Sequence, residues 1–317
     1  MNKNFQKRLN ELEKLSGYQK PAKVDDVLKL DSNENLVIKR EFQTELIKEA
    51  QKQCDVRTYP LGGVENLINT LAKYLKTPKN MISVGNGSDQ ILDMILANFC
   101  SKSTKILTCD PTFGFFEERC KLYSIPRVKI TFSKNMDLKI EDFIKKAKLV
   151  DMIYLDSPNN PSGFQFSNKQ LEKLIKSFSG PIIIDEAYGE FSNSSVLNLV
   201  KKYPNVILVK TLSKAFGLAG LRIGYMIADK KFTEIFSNVI QYPYPLNSLA
   251  IECGILAIEK SKQISSIFET IKKQRTRIIQ SLKKYDAFDV FDSSANFVLF
   301  DAKGADARVY NALFEQG

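Results

Sequence analysis

The chain has 317 residues, 46 Lys plus Arg against 36 Asp plus Glu for a formal net charge of +10, and neither histidine nor tryptophan. The missing imidazole excludes Ser-His-Asp and Cys-His nucleophile systems, a His-ligated zinc or haem, and any histidine proton shuttle within these residues. Proton transfer must fall to Lys, Tyr, Cys or a carboxylate. Hydrophobic residues make up 44% of the chain, enough to bury a substantial core, and no apolar run is long enough to span a bilayer.

In chain order, Leu9, Leu12 and Leu15 recur at helical spacing and predict an amphipathic N-terminal helix. A loop-like stretch and the polar Asp31-Ser32-Asn33-Glu34-Asn35 lead to a second helix around residues 41–53. From about residue 65, short β-branched runs alternate with longer helical ones. Strands are expected at 81–84, 105–109, 127–131, 151–155, 181–184, 206–210 and 223–228, with helices at 89–99, 115–123, 140–148 and 168–178 between them. This alternation predicts an α/β fold, a mostly parallel sheet with helices on both faces. After Pro245 come two helices, 246–259 and 264–284, then an apolar run at 295–300 expected to be a strand. The simplest partition is a large domain over 45–240, with residues 1–44 and 245–317 forming a smaller α/β domain from both chain ends.

The five cysteines form no CxxC pair and are odd in number, as expected of reduced core thiols. Lysines occur as scattered pairs without interleaved aromatics, a solvated surface and not a nucleic-acid stripe. The polar N-terminus lacks an apolar signal core, so a cytoplasmic location is expected, with neither nucleic acid nor membrane as partner.

Open parallel sheets bind ligands at the carboxyl ends of their strands, and four strand-to-helix turns stand out. Gly85-Asn86-Gly87-Ser88-Asp89 opens a helix whose free N–H groups suit a phosphate, or is an ordinary turn capped by Ser88 or Asp89. Asp156-Ser157-Pro158-Asn159-Asn160-Pro161-Ser162-Gly163 fixes an irregular loop whose amides can be aimed at a ligand. Ile182-Ile183-Ile184-Asp185-Glu186-Ala187-Tyr188 runs a buried strand into two acids. Asp185 there needs a cation or donor: a protonated ligand nitrogen, or else a helix N-terminus that it caps or a lysine. In the fourth, Lys210-Thr211-Leu212-Ser213-Lys214-Ala215-Phe216-Gly217-Leu218-Ala219-Gly220-Leu221-Arg222, a desolvated Lys214 is a nucleophile towards aldehydes, and Thr211, Ser213 and Arg222 suit a phosphate. An aldehyde and a phosphate on one small molecule suggest pyridoxal phosphate.

With Asp110-Pro111-Thr112-Phe113-Gly114 and Arg57-Thr58-Tyr59-Pro60, these stretches resemble the fold-type I pyridoxal-phosphate aminotransferases. The Asn33-Glu34-Asn35 stretch, the Ser157–Pro161 loop and the Ser213–Arg222 run resemble the histidinol-phosphate aminotransferase branch, from about residue 18 onward. The resemblance implies that Lys214 carries the cofactor as a Schiff base and moves the substrate proton. It further implies that Asp185 holds the pyridine nitrogen protonated, that Asn160 and Tyr188 hydrogen-bond the ring hydroxylate, and that Phe113 stacks on the ring. Ser88, Asp89 (through backbone amides), Thr211, Ser213 and Arg222 would surround the phosphate. Tyr59 would reach the phosphate of a neighbouring subunit, so a homodimer with shared active sites is implied. Tyr18, Asn35 and Asn160 would meet the substrate. Two departures stand out: Leu36 replaces a usual proline, and the strands expected to carry a substrate-gripping arginine do not follow the helix near Asp306, with Arg308 no match for it. On that reading the small domain is incomplete at its C-terminus.

The implied activity is amino-group exchange between glutamate/2-oxoglutarate and a phosphorylated substrate, histidinol phosphate/imidazole-acetol phosphate, in histidine biosynthesis. The alternatives are a phospho-amino-acid decarboxylase of the threonine-phosphate type and a truncated cofactor-binding protein without full activity.

Overall fold

The structure, a computed structural model, describes residues 2–15, 17 and 27–317. The N-terminal helix α1 (Lys3–Glu13) starts at Asn2, whose side chain accepts from the Asn4 N–H, and α2 (Arg40–Ala50) and α3 (Gly63–Leu75) follow. Next come β1 (Ile82–Asn86), α4 (Gly87–Phe99), β2 (Ile106–Asp110), α5 (Gly114–Leu122), β3 (Arg127–Thr131), α6 (Ile140–Ala147), β4 (Met152–Asp156) and α7 (Asn168–Ser177). The chain continues through β5 (Ile182–Asp185), α8 (Leu197–Lys202), β6 (Val206–Thr211), β7 (Ile223–Ile227), α9 (Lys230–Ile235), α10 (Ser248–Glu259) and α11 (Ser261–Leu282). It closes with β8 (Asp289–Val290), β9 (Phe300–Asp301) and α12 (Asp306–Glu315). All seven strands expected before residue 230 form, within two residues of their sequence bounds.

These seven make one sheet in the order β1-β7-β6-β5-β4-β2-β3. β2, β3, β4, β5 and β6 pair in parallel, while β7 runs antiparallel to both β6 and β1, which leaves β1 parallel to β6. Side chains alternate across the sheet with period two, as a strand requires. Ile82, Leu107, Ile153, Ile182, Ile184, Leu208 and Tyr225 face one hydrophobic layer. Ile106, Tyr154, Ile183, Val209 and Met226 face the other. Both faces are therefore buried under helices, which is why the central strands read as unbroken Ile/Val/Leu runs. The helix boundaries follow from local chemistry: Ser167 and Gln170 form a reciprocal capping box at α7, and Asn247 caps α10 by accepting from the Ala250 N–H.

The apolar run at 295–300 corrects the sequence reading. Only Phe300 pairs as a strand, with Val290. The residues before it are committed to other contacts: the Ser294 N–H donates to the Gly163 carbonyl, Arg275 Nη1 donates to the Ala295 carbonyl at 2.6 Å, and Asn296 Nδ2 donates to the Asn33 carbonyl at 3.0 Å. All five cysteines are free. Among the described residues no helix is long and apolar enough to cross a membrane.

Because β1 and β6 are parallel and β7 begins where they end, residues from six segments meet at one edge of the sheet. Gly224 of β7 makes the closest approach. A Cβ there would lie 2.2 Å from the Ser88 N and 2.3 Å from the Gly87 carbonyl carbon, so only glycine lets the N-terminus of α4 rest against β7. Gly224→Ala should lower thermal stability by about 1–3 kcal/mol or more, since the obstruction is backbone. Gly220→Ala, with nothing within 4 Å of its Cβ position, should unfold like the unaltered protein. Thermal melts of the two variants check this.

Candidate active site

The carboxyl edge of the sheet encloses a cavity of about 600 Å³, lined by residues from each of the four turns. At one end stands the N-terminus of α4. Asn86 occupies the N-cap without a side-chain bond, so Ser88 and Asp89 lie inside the first turn and do not cap it. Gly87 has φ +83° and sits under the Arg222 guanidinium, with Nη2 2.5 Å from where a Cβ would be. Arg222 itself takes the left-handed conformation, φ +54°, which is uncommon outside glycine and turns its side chain back over α4. Its Nη2 donates to Asp89 Oδ2 at 2.9 Å and its Nη1 to Ser213 Oγ at 3.4 Å, while Thr211 Oγ1 donates to Ser213 Oγ at 2.9 Å. A guanidinium, hydroxyls and free helix N–H groups thus converge on one spot, the donor set of a phosphate site.

At the other end lie two buried carboxylates in register on neighbouring strands, Asp156 of β4 and Asp185 of β5. Asp185 accepts from the Ala187 N–H at 2.9 Å and from the Tyr154 hydroxyl at 3.3 Å. Burial pushes its carboxyl up to about 7, the negative charge of Asp156 adds to this, and the Ala187 N–H opposes it. The lysine partner left open by the sequence goes instead to the next acid, Glu186. Lys210 Nζ lies 3.2 Å from Glu186 Oε2 and 2.9 Å from Glu190 Oε1, with Lys210 and Glu186 buried and Glu190 partly so. Burial alone would lower the proton affinity of Lys210, but Glu190 and Glu186 more than reverse this and hold it well above the usual lysine range. Glu186 also accepts from the Val196 N–H and the Ser195 hydroxyl. This buried cluster fastens the turn after β5, which carries Tyr188, to β6.

Lys214 lies between the two ends. Its Nζ donates to the Ser32 carbonyl at 2.7 Å and lies 5.7 Å from the centre of the Tyr188 ring. Burial lowers its affinity for the proton, with Arg222 and Lys29 acting in the same direction and Asp89 and Glu34 against it. The Tyr188 hydroxyl accepts from Asn160 Nδ2 at 3.4 Å and from Asn33 Nδ2 at 3.1 Å. Phe113 also lines the cavity.

Ser88, Asp89, Phe113, Asn160, Asp185, Tyr188, Thr211, Ser213, Lys214 and Arg222 are therefore brought together in one cavity. Asn35 is not among them, a correction to the sequence reading. It is buried outside the cavity, donating to the Ala215 carbonyl at 2.8 Å and accepting from the Val37 N–H. Asn33, turned by a φ of +54°, faces the cavity in its place. Tyr59 lies outside the cavity of its own chain, 70% exposed and stacked on Tyr244 with ring centres 4.4 Å apart. Tyr18 lies outside the described residues. Sequence reasoning gave no role to Asp156, which was legible only as the first residue of an overbuilt loop.

The residues present fit pyridoxal phosphate. The phosphate donors and an acid suited to a ring nitrogen stand at opposite ends of the cavity, with a lysine of lowered proton affinity between them. Among the described residues no lysine or arginine pairs with Asp185, so a cation supplied from the cavity is what its buried carboxylate needs.

Comparison with known proteins agrees with this geometry. Residues 25–317 match the family "Aminotransferase class I and II". The chain belongs to that family. It is 32% identical over 291 residues to a histidinol-phosphate aminotransferase of Thermoanaerobacter pseudethanolicus, covering 91% of this chain and 82% of that protein. Among solved structures it is similar to the histidinol-phosphate aminotransferase of Clostridium acetobutylicum, with TM-score 0.80, 27% identity, and coverage of 90% of this chain and 86% of that one. The L-threonine-O-3-phosphate decarboxylase of Porphyromonas gingivalis shares the fold, with TM-score 0.74, 23% identity, and coverage of 87% and 83%.

Asp185 yields a prediction for the family member without cofactor. Its native proton affinity exceeds the unfolded value of 3.8, so the native state holds more protons and loses stability as pH rises from about 4 to about 7. Asp185→Asn removes this loss. Denaturant unfolding should find the cofactor-free variant more stable than the unaltered protein at pH 8, the gap narrowing steadily towards pH 4.

Proposed function

We propose that this family member is a pyridoxal-phosphate aminotransferase that exchanges an amino group between glutamate/2-oxoglutarate and histidinol phosphate/imidazole-acetol phosphate. The observation that carries the reading is the convergence of Asp185, Lys214 and Arg222 on one cavity in a chain of this family. The similarity to enzymes named for histidinol phosphate supports the substrate. The decarboxylase reading draws on likeness of fold alone.

Pyridoxal phosphate, when bound, supplies an electron sink for negative charge on the substrate carbon next to the nitrogen. The chain's residues do the rest. Arg222, Ser213, Thr211, Ser88 and the backbone N–H of Asp89 hold the phosphate. The Asp185 carboxylate keeps the ring nitrogen protonated, and Asn160 and Tyr188 hydrogen-bond the ring oxygen. Phe113 covers the ring. Lys214, with burial favouring its neutral amine, would hold the cofactor at its aldehyde and would carry the proton at the substrate Cα. Asn33 stands next to Tyr188 on the side closed by residues 31–33, where the incoming substrate would lie.

The functional unit in this reading is a homodimer. Val56, Tyr59, Leu61, Val239, Tyr242 and Tyr244 are exposed apolar residues, and Tyr59 lines a groove shared with Asn86, next to the phosphate helix. A second copy seated there would bring its Tyr59 towards the first copy's phosphate donors. The sheet body then corresponds to the large domain, 45–240, and residues 1–44 with 245–317 to the small one. A cytoplasmic location without a nucleic-acid partner completes the reading.

Histidinol phosphate with 2-oxoglutarate should yield glutamate, measured by coupled assay. Carbon dioxide released from threonine phosphate in its place would reject the reading. Lys214→Ala should abolish borohydride-fixed cofactor and lower turnover by at least about 10²-fold. Light scattering should give twice the chain mass, and Tyr59→Asp together with Leu61→Asp should shift it to the monomer.

A further inference from the structure

Asp156 is the last residue of β4 and is buried, with no lysine or arginine paired to it among the described residues. A lone carboxylate in such a place is costly, and four hydrogen bonds offset the cost. Oδ1 accepts from Thr112 Oγ1 at 2.9 Å and from Asn159 Nδ2 at 2.9 Å. Oδ2 accepts from the Phe113 N–H at 3.2 Å and from the Asn160 N–H at 2.9 Å. Each oxygen takes one donor from the turn after β2 and one from the turn after β4. The carboxylate is therefore the common acceptor of two loops that supply Phe113 and Asn160 to the same cavity.

The four donors explain why the position holds a carboxylate. Two are backbone N–H groups that cannot reverse. Asn159 cannot turn its oxygen round either, because that oxygen already accepts from the Ser162 N–H at 3.0 Å and the Ser162 hydroxyl at 2.6 Å. A neutral amide at 156 would set its own NH₂ against one of these pairs, and an apolar residue would orphan all four donors.

We infer that Asp156 is a positioning residue for the cofactor: it fixes the spacing between the aromatic ring of Phe113 and the side-chain amide of Asn160, so that both meet the bound ring together. The inference rests on the proposed roles of Phe113 and Asn160 and extends them to a residue that acts through both.

The test uses the holoenzyme and reads pyridoxal-phosphate affinity together with the circular dichroism that the site induces in the cofactor's visible band. Asp156→Ala should weaken cofactor binding about tenfold, the size of one lost charge-assisted hydrogen bond, and diminish the induced band per bound cofactor. Asp156→Asn, which keeps an acceptor for the two backbone N–H groups, should lie between Ala and the unaltered protein. In a background carrying both Phe113→Ala and Asn160→Ala, each Asp156 effect should shrink by half or more. Should Asp156→Ala not fold, Asp156→Asn carries the same comparison. An unaltered affinity and band in the folded Asp156 variants, or an effect of full size in the double-alanine background, would overturn the inference. If the unaltered protein fails to bind pyridoxal phosphate, the functional reading itself falls.

Discussion

Two aspartates buried side by side at the ends of adjacent strands are the constraint around which the cavity is organised. Asp156 and Asp185 are in register on β4 and β5, where burial raises both carboxyls and the charge of Asp156 makes Asp185 harder still to ionise. Their environments differ in one respect. Asp156 is surrounded by donors of its own chain, which work against the burial that pushes it up to about 6. Among the described residues Asp185 receives only the Ala187 N–H and the Tyr154 hydroxyl, and is pushed up to about 7. The first carboxylate is satisfied within the fold, while the second is left for a cation arriving from the cavity.

That asymmetry continues across the cavity. The end formed by α4, Thr211, Ser213 and Arg222 presents donors and positive charge, and the end formed by Asp185 presents a carboxylate. A ligand with an anion at one end and a protonated nitrogen at the other fits only one way round. The fold supplies this polarity cheaply, because β7 is the one antiparallel strand in the sheet. Its first residues start at the edge where the parallel strands end, so Arg222 reaches Asp89, which is far from it in sequence, and Gly224 lets α4 lie directly against the strand.

Much of this was legible before the structure, and the reason is burial. A strand covered on both faces must be apolar at every position, so Ile182-Ile183-Ile184 and Val206-Ile207-Leu208-Val209 announce themselves, and the polar residues that interrupt such runs mark the strand ends where ligands bind. Reading failed where tertiary contacts decide the backbone. The run at 295–300 has strand composition, but Ala295 and Asn296 are bound to Arg275 and Asn33, and only its last residues, Leu299 and Phe300, bond beside β8. Asn33 and Asn35 are two residues apart in a polar stretch, and only the left-handed turn at Asn33 decides which one faces the cavity. Asp156 escaped for a related cause. Its role lies in the direction of four donors, two of them main-chain groups that no side-chain pattern records.

The missing histidine can now be placed physically. A proton carrier at the substrate carbon must reach that carbon, change protonation near neutral pH and be held between the two ends of the ligand. Histidine meets the second condition unaided, whereas lysine in water does not. The cavity moves Lys214 in that direction. Desolvation favours the neutral amine, and the Arg222 guanidinium nearby disfavours a second positive charge. The hydrogen bond to the Ser32 carbonyl holds Nζ on the side closed by residues 31–33. The same group can then serve as nucleophile to an aldehyde and as proton carrier afterwards, two tasks that an imidazole and a separate lysine would otherwise have to divide.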